Sequence, residues 1–135
     1  MKVAQINKFG GPEVIELIDI EKPKPQPGQV LVKVYASSIN PFDYKLRQGM
    51  IPTIKLPFTL GGDIAGVVTE VGEAVENFAV GNKVYGQAIS LAGASGAFAE
   101  FAAVNAGNIA KMPNNTDFNE AASLVLAGVS AMQAV

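Results

Sequence analysis

The sequence contains neither cysteine nor histidine among its 135 residues. Without cysteine the chain can form no disulfide, and without both residue types it cannot assemble the usual zinc sites. The same absences exclude a Cys-His or Ser-His catalytic pair. These exclusions are the firmest chemical conclusions that the composition allows.

Charge of one sign and long apolar runs are also lacking. The formal net charge is -2, and the lysines and arginines are scattered, so nucleic acid is not an expected partner. No segment resembles a signal peptide, and the Ala-rich stretch after Glu120 is interrupted before it could span a bilayer. We therefore expect a cytoplasmic protein with no membrane partner.

What the sequence does contain is a series of short apolar segments separated by glycine and proline. These segments predict strands at residues 2–7, 14–20, 30–35, 63–71, 81–86, 97–104 and 107–112. Many short strands at close spacing favour a small β-barrel or sandwich, which is one ordinary domain at this length. Gly61, Gly62 and Gly66 indicate tight turning or close backbone approach.

The last twenty residues change character. Thr116 or Asp117 can cap a helix, Glu120 would lie in its first turn, and the residues from Ala121 to Val135 favour helix. Gly128 predicts a bend or a boundary between two helices.

Polar side chains are concentrated between Ala36 and Gly49, directly after the clearest strand. The stretch after Asn40-Pro41 is long enough for one or two helical turns. Asp43 and Lys45 would not share a face of such a helix.

Three stretches together carry a family resemblance. They are Asn-Pro-x-Asp-x-Lys at 40–45 closing at Gly49, Leu-Gly-Gly-Asp-Ile-Ala-Gly-Val-Val at 60–68, and Gly-Ala-Phe-Ala-Glu-Phe at 96–101. In this order they resemble the zinc-free quinone and enone reductases of the medium-chain dehydrogenase/reductase superfamily. Lysine at position 45 resembles the enone and alkenal reductase branch, since other relatives have tyrosine there.

The resemblance implies a mainly β fold, a GroES-like small β-barrel with short helices, over residues 1–115. Residues 116–135 would begin a helical connection to a Rossmann nucleotide-binding domain. No Gly-x-Gly-x-x-Gly phosphate loop occurs in the chain, so we expect a fragment that is inactive by itself. The intact enzyme would be a homodimer that transfers hydride from NADPH to a quinone or enone, whereas the fragment could be monomeric.

By resemblance, Lys45 would hydrogen-bond the nicotinamide ribose or polarise the substrate carbonyl. Asn40 would donate its side-chain amide to cofactor or substrate. The alternatives are a solvated surface lysine and a turn-forming asparagine before proline.

Three further residues are site candidates. Asp43 could orient Lys45 or Arg47, or serve as an ordinary acid in a helical first turn. Tyr44 could donate a proton, but its ring is more expected to pack. Ser130 occupies a place where the family commonly has threonine near the nicotinamide, although a serine within a helix often has no special role.

No metal site is expected, because Gly61-Gly62-Asp63 replaces the Gly-His-Glu of the zinc-dependent alcohol dehydrogenases. Asp63 is expected to have a structural role at the start of a strand. Two other interpretations stay open: a stand-alone GroES-like module that binds proteins, and an inert excised domain.

Overall fold

The computed structural model describes residues 1–135 as eight strands and two α-helices, with three single-turn 3₁₀ helices at Pro12–Val14, Ser90–Ala92 and Ala106–Asn108. The strands are β1 (Lys2–Ile6), β2 (Ile15–Asp19), β3 (Gln29–Ser37), β4 (Phe58–Thr59), β5 (Asp63–Val71), β6 (Lys83–Gln87), β7 (Phe101–Asn105) and β8 (Ile109–Lys111). The helices are α1 (Pro41–Arg47) and α2 (Phe118–Ala134). The predicted mainly β architecture with short helices is confirmed.

The strands form two antiparallel sheets. One has the order β2-β1-β4, and the other has the order β7-β3-β5-β6-β8. Valines and isoleucines from alternate positions of the larger sheet form the main core, which includes Val30, Val32, Ile64, Val68, Val84 and Val104. This alternation is the period that the β-branched runs in the sequence predict.

Gly66 in β5 shows why this central strand needs glycine. It pairs with Val34 of β3, next to an irregularity in the β3–β5 register. A Cβ atom at position 66 would lie 2.0 Å from the backbone oxygen of Lys33, far inside contact distance. The predicted close approach of two backbones at this glycine is confirmed.

Helix α2 begins after Asp117, whose side chain accepts a 2.8 Å hydrogen bond from the backbone N–H of Glu120. It then continues to Ala134 without interruption. Of the two outcomes predicted at Gly128, the boundary between two helices is therefore wrong, and the bend stays a prediction. One glycine costs a helix only about 1 kcal/mol, and the alanine, leucine, methionine and glutamine around it favour helix. Neither helix meets the length and apolarity that a membrane crossing requires.

The start of α2 is held to the larger sheet by aromatic stacking. The rings of Tyr35 and Phe118 lie 4.5 Å apart and nearly parallel. The ammonium groups of Lys33 and Lys83 lie 5.5 and 5.7 Å from the rings of Tyr35 and Phe118, respectively. These contacts place the first half of α2 over β3, β5 and β6, beside one edge of the sheet.

Candidate functional site

A cleft of about 320 Å³ lies at that edge. The end of β3, the start of β5 and the end of β6 meet there because neighbouring strands are antiparallel and Asp63 pairs with Gln87. Helix α1 follows β3 directly and forms one wall, while α2 contributes Leu126. The lining residues are Asn40, Phe42, Asp43, Gly62, Asp63, Gln87, Ile89 and Leu126.

Asp63 is the centre of the polar contacts in the cleft. Its side chain is almost fully buried. One oxygen, Oδ2, accepts hydrogen bonds from the Ser38 hydroxyl at 2.6 Å and from the Asn40 side-chain amide at 2.8 Å, with a longer contact to the backbone N–H of Leu126 at 3.4 Å. The other oxygen, Oδ1, accepts from the Gln87 amide at 3.2 Å. Hydrogen bonds from four directions offset the loss of water around a buried carboxylate.

Sequence reasoning missed Ser38, Gln87 and Leu126 as members of this network and treated Asp63 as a strand-starting residue. The only sequence signal for the contact between Asp63 and Gln87 is the position of the two residues. Each is a polar residue at the boundary of a predicted strand. Recognising that they face one another requires the strand register, which the sequence alone does not provide.

Asp43 is the second buried carboxylate of the cleft. Its Oδ2 accepts a 2.7 Å hydrogen bond from the backbone N–H of Asn40, which is the carboxylate part of a capping box at the start of α1. Burial raises the pKa of Asp43, the hydrogen bond from Asn40 acts to lower it, and the nearby charge of Asp63 raises it further. Neither ion pair of the molecule involves Lys45 or Arg47, so of the two alternatives for Asp43 the structure supports the ordinary acid in a helical first turn.

The remaining candidates lie on the surface. Lys45 is exposed on α1, outside the cleft lining, and its ammonium group has no hydrogen-bond or ion-pair partner. Tyr44 is 42% exposed, so the expected packing of its ring is wrong. Ser130 is exposed on α2. The structure thus brings Asn40 and Asp43 to the cleft, while the roles of Tyr44, Lys45 and Ser130 stay predictions.

An apolar groove of about 800 Å³ continues from the cleft. It runs between the second half of α2 and strands β6 and β8, and it shares Gln87 and Leu126 with the cleft. Leu124, Val129 and Met132 of α2 present exposed apolar surface along it. No lysine or arginine lines either space.

The chemistry of the cleft is that of amides, a hydroxyl and carboxylates. No group of three or more carboxylate, histidine or cysteine side chains is placed to hold a metal ion. The oxygens of Asp63 are surrounded by hydrogen-bond donors, whereas a metal site needs several ligating atoms that converge on one point. The arrangement is suited to holding a ligand by hydrogen bonds beside an apolar surface.

Comparisons with known proteins agree with this architecture. The family model of the alcohol dehydrogenase GroES-like domain matches residues 26–114. A quinone oxidoreductase of Sus scrofa is 38% identical over 128 residues, which are 92% of this chain and 37% of the relative. An NADPH-dependent alkenal/one oxidoreductase, chloroplastic, of Arabidopsis thaliana is 39% identical over 134 residues, which are 94% of this chain and 35% of the relative.

Solved structures give the same result. The Escherichia coli quinone oxidoreductase complexed with NADPH superposes with a TM-score of 0.92 at 28% identity, covering 99% of this chain and 40% of that structure. A quinone oxidoreductase from Coxiella burnetii has a TM-score of 0.88 at 36% identity, and the match covers 99% of this chain and 44% of that structure. The chain therefore spans well under half the length of the relatives it matches.

Proposed function

The chain belongs to the alcohol dehydrogenase GroES-like domain family of the medium-chain dehydrogenase/reductase superfamily, and from that premise we propose that it is the substrate-side domain of a zinc-independent, NADPH-dependent reductase. The proposed substrates are quinones or enones and alkenals. The division into a barrel at residues 1–115 and a helical connection at 116–135 is part of this proposal, as are the homodimer and the cytoplasmic location.

The observation that carries the proposal is the junction of a polar cleft with an apolar groove. Quinones and enones combine an apolar carbon skeleton with a polar carbonyl group. The groove along α2 offers apolar surface for the skeleton, and the cleft around Asp63 offers amides at its end. Small-molecule sites commonly have this composition, in which a few polar groups orient a ligand held largely by apolar contacts.

The cleft suits part of the proposed cofactor. NADPH, when bound, would supply the hydride for reduction of the conjugated carbonyl compound. The amides of Asn40 and Gln87 fit the neutral nicotinamide and ribose end. The phosphates would have to be held elsewhere, because neither space is lined by a cation. Lys45, on the helix that frames the cleft, is the candidate that would hydrogen-bond the ribose or polarise the substrate carbonyl.

The environment of Asp63 supports zinc independence. Both of its oxygens already accept hydrogen bonds within the chain. Its glycine neighbour, Gly62, provides no side-chain ligand. A catalytic zinc requires three protein ligands and an open position, and the residues around Asp63 offer no such set.

The test uses the protein as its source makes it. Its intact mass is measured first, because a product much heavier than 14.0 kDa carries further sequence. Oxidation of NADPH is then followed with a quinone, an enone and an alkenal, with and without a strong chelator. We expect turnover that the chelator does not change. Activity abolished by chelation, or no turnover of any of the three substrates by the heavier product, would refute the proposal.

The exposed apolar surface of α2 favours one alternative, a stand-alone module that binds another protein. A product that ends at Val135, lacks turnover and forms a stable oligomeric ring would favour this alternative over the reductase.

A further inference from the structure

The orientation of the Gln87 side chain follows from its contact with Asp63. Gln87 ends β6 and is the cross-strand partner of Asp63. Its amide nitrogen donates a 3.2 Å hydrogen bond to Oδ1 of Asp63. Because carboxylate oxygens only accept hydrogen bonds, the nitrogen rather than the oxygen of the amide must face Asp63. The carbonyl oxygen, Oε1, therefore points to the other side.

Oε1 of Gln87 is open to a ligand. Asp63 is the partner of the Gln87 side chain through its nitrogen, and no donor within the chain reaches the oxygen. Every buried side-chain oxygen or nitrogen of the molecule has a hydrogen-bond partner, so an oxygen without one must be accessible to solvent. Gln87 lines both the polar cleft and the apolar groove. An oriented acceptor thus lies where the two spaces join.

We infer that Asp63 is a positioning residue that holds Gln87 so that its carbonyl oxygen accepts a hydrogen bond from a ligand hydroxyl at this junction. The inference deepens the proposed function and rests on it for the ligand class, which is either the ribose of the cofactor or a reduced, hydroxyl-bearing substrate. A substrate carbonyl is not held by Oε1, since two acceptors repel one another. Its oxygen would be polarised elsewhere in the site.

The wild-type site should prefer a ligand with a hydroxyl group to one with a carbonyl group at Gln87, and the substitution Asp63→Asn should reverse that preference. Oδ2 of Asp63 accepts hydrogen bonds from Ser38, Asn40 and Leu126, whereas Oδ1 accepts one from Gln87 alone. The new amide nitrogen is therefore least unfavourable at the Oδ1 position. Gln87 must then turn over to offer its oxygen to that nitrogen, and an N–H group faces the ligand instead.

The experiment uses ligands that differ in one group. The protein as its source makes it is labelled with ¹⁵N, and the side-chain amide signal of Gln87 is followed by NMR during titration. The first pair is 2-cyclohexen-1-ol and 2-cyclohexen-1-one, and nicotinamide riboside is the separate arm for sugar hydroxyls. We expect at least one hydroxyl ligand to shift the signal at a concentration about fivefold lower than the enone, which is the effect of one neutral hydrogen bond.

The variants separate positioning from a structural role. Asp63→Asn should make the enone the better ligand, a reversal that mere destabilisation would not produce. Gln87→Met retains the length of the side chain and should abolish the preference, which keeps the test decisive if Asp63→Asn does not fold. This variant has no amide at position 87, so its titrations are followed through the side-chain amide of Asn40, which lines the same cleft. The inference would be overturned by a wild-type protein that binds the enone as tightly as it binds either hydroxyl ligand. It would also be overturned by a folded Asp63→Asn protein that keeps the original preference. Failure of NADPH turnover with this preference intact would instead overturn the proposed function and leave the role of Gln87 standing.

Discussion

The side-chain amide of Asn40 donates a 2.8 Å hydrogen bond to the buried carboxylate of Asp63. Asn40 immediately precedes α1, Asp63 begins β5, and the two residues belong to separate sequence stretches of the family resemblance. The contact makes the two stretches parts of one network. Asp63 thereby holds the start of α1 against the edge of the larger sheet, where the cleft lies.

Removal of this carboxylate should strongly destabilise the fold. Asp63→Ala leaves the donors of Ser38, Asn40 and Gln87 without their acceptor, and a buried donor without a partner costs about 1–3 kcal/mol. We expect a loss of roughly 2–4 kcal/mol in the free energy of unfolding, measured by urea denaturation. Glu76→Ala, at an exposed acid on a loop, is the control and should change it by less than about 0.5 kcal/mol. Equal unfolding midpoints for the two variants would contradict the role assigned to Asp63.

Seven of the eight strands could be predicted from the sequence because their signals are local, whereas β4 (Phe58–Thr59) was not, since two residues are too short to show a pattern. The bounds predicted for β5 are those of the structure, since glycines precede it and Gly72 follows its β-branched run. Helix α1 was predicted for a similar reason, as Pro41 begins it and Gly49 follows it. The course of α2 through Gly128 was not, because helix continuity depends on the sum of neighbouring propensities.

The cleft could be predicted only in part. Asn40 and Asp43 were found through the family resemblance, and both line it. Its central acceptor, Asp63, and the partner Gln87 were not found, because their contact depends on the pairing of β5 with β6. Nothing in the residues around either position specifies that register.

Gly66→Ala should be far more damaging than alanine at another glycine. The added Cβ would lie 2.0 Å from the backbone oxygen of Lys33, and neither paired strand can move without disturbing the core. We expect a loss of about 3 kcal/mol or insoluble protein. Gly107→Ala is the matched control, because a Cβ there meets no atom within 4 Å. Thermal unfolding of both variants measures the difference, and similar melting temperatures would disprove the close approach.

Asp43 should make the fold less stable as pH rises from acid. Its pKa is raised in the folded state above the ordinary value of 3.8. The folded chain therefore holds this proton more tightly than the unfolded chain does, and stability falls as pH rises from about 3.8 through the raised pKa. NMR titration of the Asp43 carboxyl carbon should give a midpoint above 3.8.

Asp43→Asn provides the corresponding stability test. The new amide oxygen can still accept from the backbone N–H of Asn40, but it carries no titrating charge. The stability of the wild type relative to this variant should decline as pH is raised through the window that begins at 3.8. A wild-type advantage that grows with pH would show that the hydrogen bond from Asn40 outweighs burial and the charge of Asp63.

Lys45→Ala should separate stability from activity. The ammonium group of Lys45 is exposed and has no partner within the chain, so its removal should change the free energy of unfolding by less than about 0.5 kcal/mol. If Lys45 holds the cofactor ribose or polarises the substrate carbonyl, the same change should reduce kcat/KM of the complete enzyme by about 10²-fold or more.

Lys24→Ala is the matched control for Lys45, since Lys24 is an exposed lysine on the proline-containing segment before β3, away from the cleft. Lys83→Ala is a less neutral comparison, because the Lys83 ammonium lies 5.7 Å from the Phe118 ring that anchors α2. Its loss should cost up to about 1 kcal/mol of stability with little effect on kcat/KM. Both lysines are exposed, but only Lys45 lies on the helix that frames the cleft. Equal kcat/KM for the Lys45 and Lys24 variants would therefore remove Lys45 from the site.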